Sequence, residues 1–254
     1  MSTYVISDIH GHLTIFKKLL KTINFSFDND ELFLLGDYVD WGKESLETLL
    51  YVMELDKKYK NVHVLIGNHD LMFLQQIQRY NKNNNYIDKN WIYRNDGQNT
   101  WNQYLEQKEE NKKNIEKYLD TLPYRAEIIV NGKKFLMAHA CPREEYICDE
   151  TLTKEENYIM MSEIRADAVW TRIINYIKYV AKWYSNEENK YDYFICGHTI
   201  SHIIKDNHIS INANGDTFQI DCGAKILGKK EFEEEKFARL SALRLEDFKE
   251  FYEQ

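Results

Sequence analysis

The sequence has little of what usually marks linkers, disulfide scaffolds and membrane spans. Its 254 residues include two prolines, ten glycines and four cysteines, and no apolar run approaches membrane-spanning length. The cysteines, Cys141, Cys148, Cys196 and Cys222, show no C-x-x-C spacing and no dense framework, which argues against a zinc finger and a disulfide scaffold. We therefore expect reduced thiols in a cytoplasmic protein without an interdomain linker.

The charge balance is acidic, with 33 basic against 41 acidic residues and a formal net charge of -8. This argues against broad binding to nucleic acid or to anionic membranes, although a local basic pocket is compatible with it. The amino terminus shows no signal-peptide pattern. With 43% hydrophobic residues the chain can build one large core, so we expect one domain over residues 1–254.

Three apolar runs, at residues 4–6, 32–35 and 62–66, each lead into a polar loop and then into apolar residues at helical spacing. The loops read Ser-Asp-Ile-His-Gly from residue 7, Gly-Asp-Tyr-Val-Asp-Trp-Gly from residue 36 and Gly-Asn-His-Asp from residue 67. Successive strand–helix units of this kind predict an α/β sheet with its site at the carboxyl ends of the strands.

Alternating strands are predicted further along the chain. The Asn-Gly pairs at residues 131–132 and 214–215 predict β-hairpins, and residues 193–196 form another predicted strand. Polar, helix-forming segments predict helical insertions at about residues 80–122 and 143–190. The predicted fold is therefore α/β, with two face-to-face mixed β-sheets flanked by helices.

Six oxygen and nitrogen donors each follow an apolar, strand-like run. They are Asp8, His10, Asp37, Asn68, His139 and His198. Such donors suit manganese, iron or zinc better than copper(I), and six of them with one shared carboxylate are enough for two divalent metal ions. Paired ions about 3.5–4 Å apart bind a phosphoryl group and activate a bridging water, which we expect to be the nucleophile.

In order along the chain, these blocks resemble the calcineurin-like metallophosphoesterases, and specifically their phosphoprotein phosphatase branch of bacterial serine/threonine type. The family pattern reads G-D-x-H-G, G-D-x-V-D-R-G, G-N-H-E, a later His, and G-H. The corresponding blocks here begin at residues 7, 36, 67, 138 and 197. The resemblance implies a four-layer sandwich of two sheets between helices.

The resemblance also implies a role for each ligand. Asp8 and His10 would hold the first metal, Asp37 would bridge, and Asn68, His139 and His198 would hold the second, with manganese the expected ion and iron or zinc the alternatives. Asn68 would also contact the substrate phosphate.

His69 resembles the family's catalytic histidine, which protonates the leaving oxygen, and Asp40 resembles the carboxylate that pairs with it. A nearby anion keeps an imidazolium available at neutral pH, as a general acid requires.

Further segments resemble the bacterial members. Asn95-Asp96-Gly97 with Thr100 is similar to a segment near their pocket, and Trp170-Thr171-Arg172 to one whose arginine grips phosphate. Arg172 is therefore the candidate phosphate clamp, since a guanidinium suits phosphate oxygens; the alternative is that it stacks on an aromatic ring or lies at the surface. The segment 220–224 resembles a strand end that lines the site.

Trp41 is the main departure, because the family usually has a phosphate-binding arginine there. One cationic contact is missing unless Arg172, Arg94 or Arg143 substitutes. The remaining histidines match no motif position and are predicted not to be ligands; they are His12, His63, His202 and His208.

We therefore expect a metal-dependent phosphatase whose substrates are serine/threonine phosphoproteins. The alternative in the same fold is a symmetrical diadenosine tetraphosphatase or another nucleotide phosphohydrolase, in which Trp41 could stack on a base. A third hypothesis is a non-catalytic scaffold, against which the intact donor set and His69 argue. Stable nucleic-acid or membrane binding is not expected.

Overall fold

The computed structural model describes residues 1–83, 86–140, 168–170, 191–201, 208–211, 215–232 and 236–254. The strands within these ranges are β1 (Thr3–Ile6), β2 (Glu31–Leu34), β3 (Val62–Val64), β4 (Arg125–Val130), β5 (Lys133–Ala138), β6 (Tyr193–Cys196), β7 (Ser210–Ile211), β8 (Thr217–Gln219), β9 (Leu240–Arg244) and β10 (Lys249–Glu253). The α-helices are α1 (Leu13–Thr22), α2 (Ser45–Lys58), α3 (Asn68–Lys82), α4 (Lys89–Arg94), α5 (Gln98–Leu105) and α6 (Glu109–Thr121).

The first sheet has the strand order β10-β9-β1-β2-β3. Strands β1, β2 and β3 are parallel, as the strand–helix rhythm predicts. The carboxyl-terminal hairpin β9–β10 was not predicted, and β9 pairs antiparallel with β1. The polar loops after β1, β2 and β3 therefore emerge at the same edge of the sheet.

The second sheet has the order β4-β5-β6-β8-β7. The hairpin β4–β5 turns at Asn131 and Gly132, whose φ angles of 50° and 77° suit a tight two-residue turn. Strand β5 pairs parallel with β6, and the predicted second hairpin is the shorter pair β7–β8. Strands β5 and β6 thus end side by side.

Alternating side chains divide the core into layers. Val5 of β1 and Phe135 of β5 belong to the cluster between the two sheets, whereas Ile6 belongs to the cluster that the first sheet forms with the helices. Leu136 faces away from the first sheet and packs with Phe194. Because neighbours along a strand point to opposite faces, both sheets are covered on both sides. This confirms the predicted fold of two face-to-face mixed sheets flanked by helices.

Helices α4, α5 and α6 occupy residues 89–121, within the segment predicted to be a helical insertion. Of the second predicted insertion, residues 168–170 are described and helical, and the rest lies outside the described residues. Cys196 and Cys222 are buried, while Cys141 and Cys148 lie outside the described ranges. Across the part of the chain that the structure describes, no helix is both long and apolar enough to cross a bilayer.

The buried Tyr38 hydroxyl joins two strand ends. It lies 2.9 Å from the carbonyl oxygen of Leu34 and 2.7 Å from that of Leu65, and it accepts the N–H of Gly36 at 3.1 Å. The hydroxyl therefore gives buried partners to the N–H of Gly36 and the carbonyl of Leu65 where the loops begin, while the Leu34 carbonyl also accepts the N–H of Leu65.

The substitution Tyr38→Phe is expected to lower the free energy of unfolding by about 1–3 kcal/mol, because buried backbone groups lose their partner while the ring stays. Urea denaturation measures this. Tyr51→Phe, at a partly buried ring against helix α1, is the matched control and is expected to change stability by less than about 0.5 kcal/mol. Equal stability of the two variants would contradict the role of the Tyr38 hydroxyl.

Candidate metal centre

The ends of five strands bring the six predicted ligands together. Asp8 and His10 follow β1, Asp37 follows β2 and Asn68 is the first residue of the helix after β3. From the second sheet, His139 follows β5 and His198 follows β6. All are buried except His198, which is partly exposed.

Asp37 lies at the centre of this cluster. Its Oδ2 atom is 3.5 Å from Nε2 of His10 and 3.4 Å from Nε2 of His139. Two groups that could hold a metal share this carboxylate, one with His10 and His69 and the other with His139 and His198. The arrangement suits a carboxylate that bridges two ions.

Backbone carbonyls fix the orientation of two imidazoles. Nδ1 of His10 donates to the carbonyl of Val39 at 3.0 Å, and Nδ1 of His139 donates to that of Leu35 at 3.0 Å. Because a carbonyl can only accept, the proton lies on Nδ1, and Nε2 presents its lone pair to the cluster. This is the usual anchoring of metal-binding histidines.

Asn68 and Asp8 complete the cluster. The Oδ1 atom of Asn68 lies 2.9 Å from Nε2 of His139 and 2.8 Å from Nδ1 of His198. The Oδ1 atom of Asp8 is 3.9 Å from Nε2 of His10, and its Oδ2 atom accepts the Ser7 hydroxyl at 2.5 Å. The backbone N–H of His198 also donates to Asp8, which ties the two sheets together at this point.

The donor set fits divalent metal ions. With Nδ1 donating to a carbonyl, Nε2 of His139 faces oxygen acceptors of Asn68 and Asp37, so lone pairs meet there unless a proton or a cation lies between them. Burial lowers the pKa of His139, but the charges of Asp37 and Asp8 outweigh it and raise the pKa to about 9. A cation would satisfy the same lone pairs.

The pKa values of Asp8 and Asp37 also indicate that positive charge near these carboxylates is favourable. Burial and the neighbouring Asp221 raise the pKa of Asp8 well above its ordinary value. Burial acts in the same direction on Asp37, but the charges of His139 and His69 hold its pKa well below the ordinary value. A buried anion surrounded by imidazoles is well suited to bind a metal.

The loops hold several of these residues in the left-handed region of backbone conformation. Their φ values lie between 47° and 71° at Asp8, His10, Asp37, Asp40, Trp41 and His198. Asp and His tolerate this conformation better than most residues, while the bulky Trp41 does not. Each such residue costs on the order of 1–3 kcal/mol, which a site with fixed geometry can require.

Close backbone approach explains two of the glycines. A Cβ atom on Gly67 would lie 2.2 Å from Oδ1 of Asp37, and one on Gly197 would lie 2.0 Å from Oδ2 of Asp8. Any side chain at these positions would displace a predicted ligand.

Asp40 and His69 form a buried pair beside the cluster. Nδ1 of His69 donates to Oδ2 of Asp40 at 2.7 Å, and the indole Nε1 of Trp91 donates to the same oxygen at 2.7 Å. The Thr100 hydroxyl donates to Oδ1 at 2.5 Å, and the backbone N–H of Asp40 donates to the Ser45 hydroxyl at 2.7 Å. The carboxylate is thus held from several sides.

Burial disfavours the imidazolium of His69, but the charge of Asp37 and the hydrogen bond with Asp40 raise its pKa above the ordinary value. Burial raises the pKa of Asp40, against the hydrogen bond from His69. The His69 ring lies edge-on to His10, with ring centroids 4.8 Å apart.

The predicted phosphate clamp Arg172 and the alternative Arg143 lie outside the described residues, and Arg94 is exposed. Trp170, two residues before Arg172, lies edge-on to His198 with ring centroids 6.5 Å apart. Of the histidines predicted not to be ligands, His12, His63 and His208 belong to neither group that could hold a metal. His63 bonds Glu31 and His208 contacts Tyr252, while His202 lies outside the described residues.

Trp91 and Lys225 also belong to the site's surroundings and were not predicted from the sequence. Trp91 resembles an ordinary core residue, and no local motif distinguishes it. The ammonium group of Lys225 lies 5.5 Å from the ring centroid of Trp41, at the position where an arginine is missing. Its only sequence signal is its place directly after the segment 220–224, which was predicted to line the site.

Two mixed sheets with an oxygen–nitrogen cluster at their strand ends form the architecture of a metallophosphoesterase. A family model described as calcineurin-like phosphoesterase matches residues 1–202, and the chain belongs to this family. Members of this family are phosphoesterases that use a dinuclear divalent metal site.

Curated relatives match only part of this chain. A symmetrical bis(5'-nucleosyl)-tetraphosphatase of Marinomonas sp. (strain MWYL1) is 43% identical over 82 residues, which is 32% of this chain and 29% of that protein. One from Vibrio parahaemolyticus serotype O3:K6 is 46% identical over 74 residues, covering 29% of this chain and 26% of its own length. The aligned part thus spans less than a third of these relatives.

The fold also resembles solved structures over nearly the whole chain. A metallophosphoesterase from Sphaerobacter thermophilus superposes with a TM-score of 0.53 at 16% identity, covering 100% of this chain and 87% of that one. At this identity the likeness concerns the fold.

Divalent metal is expected to stabilise the protein, because ligands that bind only the folded state shift unfolding by mass action. At about 100 times the Kd of the metal, Mn²⁺ should raise the Tm by about 5–10 °C relative to a chelated sample, as thermal denaturation measures. Asp37→Asn should abolish most of this shift, whereas Asp120→Asn, at an exposed carboxylate, should keep it. An undiminished shift in Asp37→Asn would exclude Asp37 as a ligand.

Proposed function

We propose that this cluster holds two divalent metal ions and that His69 acts as the general acid in phosphoester hydrolysis. Asp8, His10 and Asp37 would hold one ion, and Asp37, Asn68, His139 and His198 the other, as the resemblance implies. When bound, such ions bind phosphoryl oxygens and lower the pKa of water toward neutrality. The chain's own residues orient the substrate and supply the proton.

The observation that carries this proposal is the buried pair of His69 and Asp40. With Nδ1 donating to Asp40 at 2.7 Å, Nε2 is the nitrogen that remains to deliver a proton to a leaving oxygen. The backbone N–H of His69 donates to Oδ1 of Asp37 at 2.9 Å, which fixes the imidazole beside the shared carboxylate. The Trp91 and Thr100 contacts keep Asp40 in place to orient the ring.

For the substrate we propose the dinucleoside polyphosphates, with phosphoserine and phosphothreonine in proteins as the second candidate class. Trp41 borders an open groove of about 770 Å³ whose lining includes the cationic Lys43, Lys229 and Lys236. Such a groove suits a base and further phosphates. The tetraphosphatase relatives support the same class, whereas the motif resemblance supports phosphoproteins.

His69→Asn is expected to lower turnover at least about 10²-fold while leaving metal affinity unchanged, because a general acid is lost and no predicted ligand is. Steady-state kinetics with an aryl phosphate and metal titration by calorimetry measure the two effects. His63→Asn makes the same change at a histidine that pairs with Glu31, and it should leave turnover unchanged. Full activity in His69→Asn would remove His69 from the mechanism, and loss of metal would make it a ligand instead.

A substrate panel separates the candidate classes. The manganese-loaded protein should hydrolyse diadenosine tetraphosphate with a higher kcat/KM than a phosphoserine peptide, because the groove beside Trp41 offers contacts that a phosphopeptide does not use. Preference for the peptide would favour the phosphoprotein hypothesis. Failure to turn over an aryl phosphate, the peptide and the dinucleotide alike would support the non-catalytic scaffold.

A further inference from the structure

We propose that Lys225 is a substrate-binding residue whose ammonium group contacts a non-bridging oxygen of the phosphoryl group at the metal centre. This inference rests on the proposed function. Lys225 would supply a positive charge to a site whose other described side chains are mainly carboxylates, imidazoles and an amide.

Lys225 belongs to a short 3-10 turn, Ala224–Ile226, that follows the buried Asp221. Its ammonium group lies 5.5 Å from the ring centroid of Trp41, within the range of a cation–π contact. Trp41 itself follows Asp40 directly in the loop that carries the shared carboxylate. The ring thus holds the ammonium group near the loop on which the site is built.

The charge of Lys225 acts on the site itself. Burial lowers the pKa of His10, and Lys225 is among the charges that lower it further. Burial lowers the pKa of His69, whereas Asp37 and Asp40 raise it. The charge of Lys225 acts against that increase in pKa. Burial raises the pKa of Asp221, and Lys225 is the largest influence against it. The same charge therefore acts on His10, on His69 and on Asp221.

Lys225 is partly buried, yet its ammonium group forms no ion pair with any carboxylate in the described ranges. A partly buried lysine without such a partner costs stability. Its neighbour Lys229 differs: that ammonium lies 5.0 Å from the same ring centroid but is paired with Asp96. Of these two lysines, Lys225 therefore has its charge available for an incoming dianion.

The test compares Lys225→Met with Lys225→Arg and with the control Lys133→Met, at a lysine that pairs with Asp192 away from the site. Binding of inorganic phosphate to the manganese-loaded protein, measured by calorimetry, should weaken about 10- to 100-fold in Lys225→Met, the loss expected for a charged hydrogen bond. Lys225→Arg should recover most of the affinity. Lys133→Met should bind phosphate within about twofold of the wild-type protein, because it loses a charge that is already paired with Asp192.

Manganese affinity gives a second readout. Removing a cation beside anionic ligands should leave metal affinity equal or higher in Lys225→Met, whereas a merely structural defect would lower both metal and phosphate affinity. Equal phosphate affinity in Lys225→Met and wild type, or no phosphate binding to the metal-loaded wild type, would overturn the assignment. Phosphate binding without turnover of any substrate would instead overturn the proposed function and leave Lys225 as a phosphate ligand.

Discussion

The fixed position of the Asp37 carboxylate is the constraint on which the rest of the site depends. One of its oxygens accepts the backbone N–H of His69, and the other faces the imidazoles of both sheets. The carboxylate of Asp70 fixes this loop by accepting the backbone N–H groups of Asp37 and Tyr38. The backbone of Gly67 packs so closely against Asp37 that a Cβ atom would not fit between them, and this contact restricts the movement of the carboxylate.

The buried negative charge of the cluster explains why it favours cations. Asp8, Asp37, Asp40 and Asp221 are all at most 2% exposed, and few cationic side chains lie among them in the described part of the chain. Burying these carboxylates without compensating positive charge costs free energy. The folded protein therefore favours cation binding at the edge where its sheets meet. The role proposed for Lys225 would add a positive charge beside this acidic cluster.

Much of this arrangement follows from the sequence, because strand–loop–helix rhythm places polar loops at one edge of a parallel sheet. The six donors could be predicted since each follows an apolar run. The hairpin β9–β10 could not, because its turn at residues 245–248 lacks an Asn-Gly pair and its pairing with β1 joins the two ends of the chain. Trp91 was missed for a similar reason: its bond to Asp40 spans 51 residues and leaves no local pattern.

The division of the predicted ligands between two sheets has a consequence for folding. Asp8, His10, Asp37 and Asn68 come from one sheet, whereas His139 and His198 come from the other. Neither sheet carries the whole set, so the complete centre arises only after the sandwich has closed. A metal ion bound there would link the two layers. The rate of metal binding would then depend on how often the layers separate at that edge.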